Sequence, residues 1–343
     1  MNSSHEPSPY ESPGPVEDEP PRRHAPPRWL SCLRLLRAPA AFTAVSDVLM
    51  GFFLTHDPIQ AEPGLLALVA ASVGVYLAGM VLNDVYDVEQ DARERPWRPL
   101  PAGYISVSTA RGLGFGLLLT GVLCGWAAGL AFSGGAAAPL RAGLIISALA
   151  ALAWGYDVGL KRTPLGPVAM GGCRLLNVLL GMSLAGPSFV SEAPAFGFFL
   201  PGHICVACGF GVFIAGVTVL ARRESQETTP VRPLAGLIIM FVGVAVIAGS
   251  VFLEPFASGR QMRWDYWLVI FGLLALSPLI RASLAAAQPN PARVQNAVRQ
   301  SLSSLVIFAA AVVLLARGPT VPVMVILALL IPMTALSRLV STT

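Results

Sequence analysis

Apolar runs long enough to cross a bilayer recur along almost the whole chain, and no other feature narrows its fold as much. A helix needs about 17 to 25 such residues to span the hydrocarbon core. Runs of this kind fall near 36–54, 65–84, 111–133, 140–156, 167–186, 197–220, 233–253, 266–284, 300–316 and 321–338, which predicts ten transmembrane helices. Helices are the expected form because the bilayer core offers no water to backbone N–H and C=O groups. The short alternating segments of a barrel are absent. Composition agrees, since 55% of the 343 residues are hydrophobic and 12% charged, against roughly a quarter charged in soluble domains. Glycines inside the runs, such as Gly112, Gly114, Gly116, Gly121 and Gly125, let helix backbones approach closely in a bilayer and predict a compact bundle.

Basic residues in the short loops set the expected orientation. With the N-terminus cytoplasmic, that side receives Arg28, Arg34, Arg37, Arg93, Arg95, Arg98, Lys161, Arg162, Arg222, Arg223, Arg232, Arg281, Arg293 and Arg299. The opposite side receives Arg141, Arg260, Arg263 and Arg317. An even number of spans returns the C-terminus, with Arg338, to the cytoplasm. The net charge of +4 therefore reflects topology and a phosphate-binding face; no basic–aromatic groove or recognition motif points to nucleic acid.

Residues 1–28, rich in Pro, Ser, Glu and Arg, read as a disordered cytoplasmic tail without a signal-peptide core. Residues 29–343 read as one transmembrane domain. The five cysteines are scattered and form no disulfide framework. His203, Cys205 and Cys208 have a metal-like spacing without a second pair, which reads as ordinary helix packing.

Charge concentrates after the second run, in VLNDVYDVEQDARERPWRPLPAG, Val81 to Gly103. Asn83, Asp87 and Asp91 are four apart and fall along one slowly drifting face of a continuing helix, with Asp84 beside them. Several hard oxygen donors at a membrane edge suit Mg²⁺, with coordination positions left for water and phosphate oxygens. The same carboxylates also read as a solvated helix end paired with Arg93 and Arg95. Arg93, Arg95 and Arg98 then lead into RPLPAG, where Pro and Gly bend the chain back. Arginines beside a magnesium cluster are suited to bridging diphosphate oxygens.

From Asn83 through Gly103 the segment resembles the first aspartate-rich motif of the UbiA-type intramembrane prenyltransferases, NDxxDxxxDxxxxRxxRPLxxG. The resemblance implies an all-α polytopic bundle around a central cavity. It also implies Mg²⁺ and diphosphate held by Asn83, Asp84, Asp87 and Asp91, with Arg95 and Arg98 supporting the loop or binding phosphate. YDVGLKRTPLGP, residues 156–167, is similar to the family's second basic loop, which assists diphosphate binding through Lys161 and Arg162. Here Asp157 stands where the family has proline, and the basic pair is one residue further from Tyr156. The family's second aspartate-rich motif has no counterpart: GVTVLARRESQETT, residues 216–229, contains no aspartate. Arg222 would supply charge where a second Mg²⁺ sits, with Glu224 as a weaker ligand; the other reading is lost catalysis. This departure most resembles the EboC-like branch.

Polar groups inside spans need a purpose, because an ionisable side chain at bilayer depth costs at least about 2.5 kcal/mol. Asp47 lies in the first run, and Arg174 and Asn177 lie one turn apart in the fifth. They read either as lining for a pyrophosphate or acceptor cavity or as a mutually paired structural lock. Glu254, Arg260, Arg263 and Asp265 read as a solvated loop on the opposite side. The tenth run has no counterpart in the family's nine-span pattern.

The expected function is transfer of an isoprenoid group from an allylic diphosphate to an acceptor, an aromatic ring in most of the family. Asp84, Asp87, Asp91, Lys161 and Arg222 would serve catalysis. Asn83, Arg95, Arg98, Tyr156, Arg162, Arg174, Asn177 and Glu224 would bind substrate, and Tyr156, Asp157 and Asp47 are acceptor-side candidates. The rival expectation is a lipid-diphosphate-binding or transport-accessory membrane protein on an inherited scaffold. Either way the chain reads as a multi-pass protein of the cell (inner) membrane with both termini cytoplasmic.

Overall fold

A computed structural model of the chain describes residues 28–56, 63–132, 138–186, 199–222, 231–288 and 290–341. The expected tail therefore lies outside the described residues except at Arg28, and so do Glu224 and Glu227.

The helices are α1 (Arg28–Leu36), α2 (Ala38–Thr55), α3 (Pro63–Tyr86), α4 (Val88–Glu94), α5 (Val107–Phe132), α6 (Ala138–Val158) and α7 (Gly166–Gly181). They continue with α8 (Pro201–Ala221), α9 (Val231–Gly249), α10 (Phe256–Gly259), α11 (Trp264–Ala287), α12 (Pro291–Arg317), α13 (Val321–Ala328) and α14 (Leu330–Ser341). Among the described residues nine segments are long and apolar enough to cross a membrane: α2, α3, α5, α6, α8, α9, α11, α12 and the stretch 321–339 through α13 and α14.

The fifth predicted run corresponds to α7, whose 16 residues rise only about 24 Å. Its last turn loosens into 3₁₀-type bonds from Ser183 N–H to the Leu180 carbonyl and from Ala185 N–H to the Met182 carbonyl. These carry the segment on to Ala185. At the other extreme, α12 starts nine residues before the apolar run that marks it. Asn290 caps it by accepting from Ala292 N–H at 2.8 Å, and Pro291 takes the first helical position, where a missing N–H costs nothing. The polar turns that follow are invisible to an apolar window but fully helical.

The helices close a ring. Going around it, α3 lies on α5, α5 on α6, α6 on α7, α7 on α8, α8 on α9, α9 on α11, α11 on α12, α12 on α2 and α2 on α3. α2 also contacts α7 across the ring, and 72% of it is buried. Asp47, on α2, therefore faces protein and not lipid. Lipid is as apolar as leucine, so close packing rather than water exclusion holds such helices together. The largest buried cluster gathers Phe52, Phe210, Phe213, Trp267, Phe271 and Phe308. A small separate cluster of Leu35, Val81, Val85, Leu100 and Ala110 sits under the 98–103 loop and seats both that loop and the end of α1.

Candidate functional site

Two couples of side chains, each with its own cation, replace the single acidic face expected from spacing. α3 ends at Tyr86 and α4 begins at Val88, with Asp87 at the break. The i to i+4 bonds nevertheless run through it, from Asp87 N–H to Asn83 O at 3.0 Å and from Asp91 N–H to Asp87 O at 2.8 Å. Asp84 and Asp91, two turns apart, share Arg98: its Nη1 lies 3.3 Å from Asp84 Oδ1 and 2.6 Å from Asp91 Oδ2. Asn83 and Asp87, one turn apart, share Lys161, whose Nζ donates to Asn83 Oδ1 at 3.0 Å and lies 2.8 Å from Asp87 Oδ1. The drift of the helical face brings Asp91 beside Asp84 instead of Asp87.

Three other chain segments supply the cations. The 98–103 loop folds back through bonds from Ala102 N–H to Arg98 O and from Tyr104 N–H to Pro99 O, with Gly103 at φ 74°, a conformation other residues rarely take. Arg98 thereby reaches inward, while half-buried Arg95 makes no side-chain hydrogen bond or ion pair among the described residues. After α6, Gly159 leads into a 3₁₀ turn, Leu160–Arg162, that aims Lys161 at α3. Arg162 lies 3.6 Å from Asp87 Oδ1 but is 64% exposed, so its pairing is weak. The third cation is Arg37, between α1 and α2, whose Nη2 donates to Asp84 Oδ1 at 2.9 Å. Arg37 holds φ 45°, a strained backbone for a residue with a Cβ, and such strain clusters at functional sites. Sequence reasoning placed Arg37 only in the count of loop charges; its Arg-x-Pro setting before a span was the available signal.

Arg222 is not aimed at an open metal position. Its Nη2 donates to the carbonyls of Lys161, at 3.2 Å, and Thr163, and Gly166 leaves room for it where a Cβ would clash with the guanidinium. The arginine thus straps down the turn that presents Lys161. Thr218, on the same face, donates to the Ile214 carbonyl of its own helix. Tyr156 is half-buried, and Asp157 is buried with its Oδ2 unpartnered.

Deeper in the bundle, Arg174 Nε lies 2.9 Å from Asp47 Oδ2, and Asn177 Nδ2 donates to the same oxygen and to the Ala44 carbonyl, each at 3.0 Å. Ser72 donates to Asn177 Oδ1 at 2.6 Å, and Arg174 Nη1 to Thr43 Oγ1 at 3.3 Å. α2, α3 and α7 are joined through this network. Ser72 precedes Asp84 by twelve residues on α3, so the network lies about 18 Å further into the membrane along the helix. Arg174 and Asn177 are thus paired with Asp47, Thr43, Ala44 and Ser72 rather than with the acidic couples.

Among the described residues no three His, Cys, Asp or Glu groups are placed to hold a metal ion by themselves. Magnesium beside phosphates does not need such a cage, because one or two carboxylates plus phosphate oxygens and water complete its shell. The couple Asp84–Asp91 and the couple Asn83–Asp87 each fit that role. The cations now resting on them are placed to turn to phosphate oxygens, Arg37 and Arg98 through planar forks.

Comparison with known proteins bears on the family and the fold. The model of the UbiA prenyltransferase family matches residues 44–305. A digeranylgeranylglyceryl phosphate synthase of Saccharolobus solfataricus is 39% identical over 93 residues, 27% of this chain and 33% of that protein. A protein of the same name from Methanopyrus kandleri is 28% identical over 271 residues, 74% of this chain and 88% of that one. The chain spans about a third to a half of the length of the first relatives it matches. A UbiA homologue of Archaeoglobus fulgidus, solved with GPP and Mg²⁺, shares the fold at TM-score 0.53 and 16% identity, covering 82% of this chain and 99% of that one. The chain belongs to the UbiA prenyltransferase family.

Proposed function

We propose that the protein is an intramembrane prenyltransferase that moves an isoprenoid group from an allylic diphosphate to an acceptor, an aromatic ring on the family resemblance. One observation carries this reading. Arg37, Arg98 and Lys161, from three separate segments, converge on Asp84, Asp91, Asp87 and Asn83 at one end of an apolar bundle. Charges so arranged suit a diphosphate at the membrane edge with its tail among the helices. The names of the relatives, which are prenyl-transferring synthases, support the donor class.

In this reading Asp84, Asp87 and Asp91 hold Mg²⁺ with Asn83. Bound magnesium supplies charge neutralisation to the departing pyrophosphate. Arg37, Arg98 and Lys161 are gathered at the carboxylates before the substrate arrives, and as Mg²⁺ takes the acids they turn to the diphosphate, so positive charge stands where negative charge grows on the leaving oxygen. Arg222 acts through Lys161, as a positioning residue. The apolar interior keeps water from the allylic carbon.

Purified protein given geranylgeranyl diphosphate, Mg²⁺ and an acceptor panel should release pyrophosphate and alkylate an acceptor. Asp87→Ala and Asp91→Ala should lose both; full turnover in both variants would overturn the proposal. A second reading, binding without transfer, is favoured by one feature: the described part of α8 and its end, residues 199–222, contributes no carboxylate, and Arg222 is committed to loop carbonyls. Tight magnesium-dependent binding of the diphosphate with no product from any acceptor would select it.

A further inference from the structure

Four aspartates meet where the ends of α3 and α6 come together with α4, and three of them have cations. The fourth, Asp157, is 3% exposed and its Oδ2 has no hydrogen-bond partner. Lys161, four residues on, is the natural local partner, yet its ammonium goes to Asn83 and Asp87. A buried carboxylate left this way is costly unless something else satisfies it.

Its surroundings say where that partner comes from. The charged groups near enough to act on Asp157 are Lys161, Asp87, Arg37 and Asp84. Its Oδ2 points across to Gly79, where an added Cβ would stand 3.9 Å away with nothing else near. Gly79 is one turn before Asn83 and two before Asp87 on the same face of α3, so Asp157 opens about 6 Å deeper than Asn83. That depth lies below the couples proposed to hold the diphosphate, on the side where its prenyl chain would enter the bundle.

Resting on the transfer reading above, we propose that Asp157 binds the hydroxyl group of the prenyl acceptor, and that Gly79 leaves the space through which that hydroxyl reaches it. A hydroxyl donates one O–H to the carboxylate in a short charge-assisted bond and keeps its lone pairs available. The acceptor class is therefore an amphiphile with a neutral hydroxyl near its reacting atom. Asp157 is an acceptor-binding residue distinct from the diphosphate machinery.

The test uses the full-length protein with geranyl diphosphate and Mg²⁺, and phenolic acceptors alkylated on ring carbon, each paired with its O-methyl ether. Asp157→Asn should raise the acceptor KM about tenfold, the difference between a charge-assisted and a neutral hydrogen bond. It should also erase the preference for hydroxyl over methyl ether and leave magnesium-dependent donor binding unchanged. Gly79→Val, which fills the space without touching the carboxylate's charge, should reduce acceptor use in the same way. Wild-type kinetics in both variants would overturn the inference and leave the transfer reading intact. Equal weakening of donor binding would overturn it by assigning Asp157 to the metal–diphosphate site. Absence of product from the wild-type protein with every acceptor would overturn the transfer reading and this inference with it.

Discussion

Arg98 holds two carboxylates at once, and this makes it the residue on which the site's apo stability turns. Its side chain is 21% exposed, and those of Asp84 and Asp91 are 7% exposed. Removing one partner from a buried ion pair leaves the other uncompensated, at a cost of about 3 kcal/mol. Arg98→Ala should therefore lower the melting temperature in detergent, while Arg98→Lys, a point charge that cannot fork to both acids, recovers part of the loss. Added Mg²⁺ should raise the melting temperature of Arg98→Ala more than that of the wild type; equal melting of variant and wild type would contradict the pairing. The residues of this stretch could be picked out in the sequence because they lie on one short segment, but spacing misgrouped them, since Asp91 shares Arg98 with Asp84 and not a cation with Asp87. Arg37 was not picked out, since its contact with Asp84 spans 47 residues and its Arg-x-Pro setting before a span does not say which acid it meets. The strap from Arg222 was hidden for another reason: it ends on backbone carbonyls, which have no residue-type signature.

At the level of elements, apolar run length located the nine candidate spans among the described residues but misjudged what happens at their ends. Asp87 interrupts α3, α7 is short, and α12 extends as a polar helix beyond its apolar part, each decided by local capping or by packing rather than by hydropathy. The crossing of α2 with α7 shows what hydropathy leaves out. A Cβ on Gly51 would stand 2.5 Å from the Val178 carbonyl and 2.9 Å from Met182 N. This close approach allows Asn177 to reach the Ala44 carbonyl and Asp47. Gly51→Ala should force the two helices apart and cost about 1 to 3 kcal/mol, whereas Gly112, with nothing within 4 Å, should accept alanine without penalty. Thermal melts of the two variants side by side check this, and similar melting would show that the crossing yields easily. The sequence offered glycines throughout the runs, but not which of them touch backbone.

For the whole molecule, loop arginines were read as a signal of orientation, and the four on the sparse side are each engaged by neighbouring groups. Arg141 donates to the Ala185 carbonyl past the end of α7. Arg317 donates to the Phe53 and His56 carbonyls at the end of α2, at 2.9 and 2.6 Å. Arg260 binds the Phe256 and Ala257 carbonyls at 3.1 and 2.9 Å. Arg263 pairs with Asp265 at 2.6 Å and lies over the Tyr266 ring, 4.6 Å from its centroid. Three of them satisfy helix-end carbonyls, where a cation is favoured by the unpaired C=O groups and the helix dipole, and the fourth is neutralised by an acid. The opposite face instead carries the exposed Arg93 and the strongly exposed Arg162, the kind of charge that retains a loop in the cytoplasm. We propose the orientation that puts Cys32, exposed on α1, inside the cell, and Ser258, exposed on α10, outside it. In intact cells a membrane-impermeant maleimide should label a Cys32→Ser, Ser258→Cys variant at once, and should reach Cys32 of the wild-type chain only after the membrane is permeabilised. The reverse pattern would invert the bundle and move the acidic couples, with their proposed diphosphate, to the outer surface.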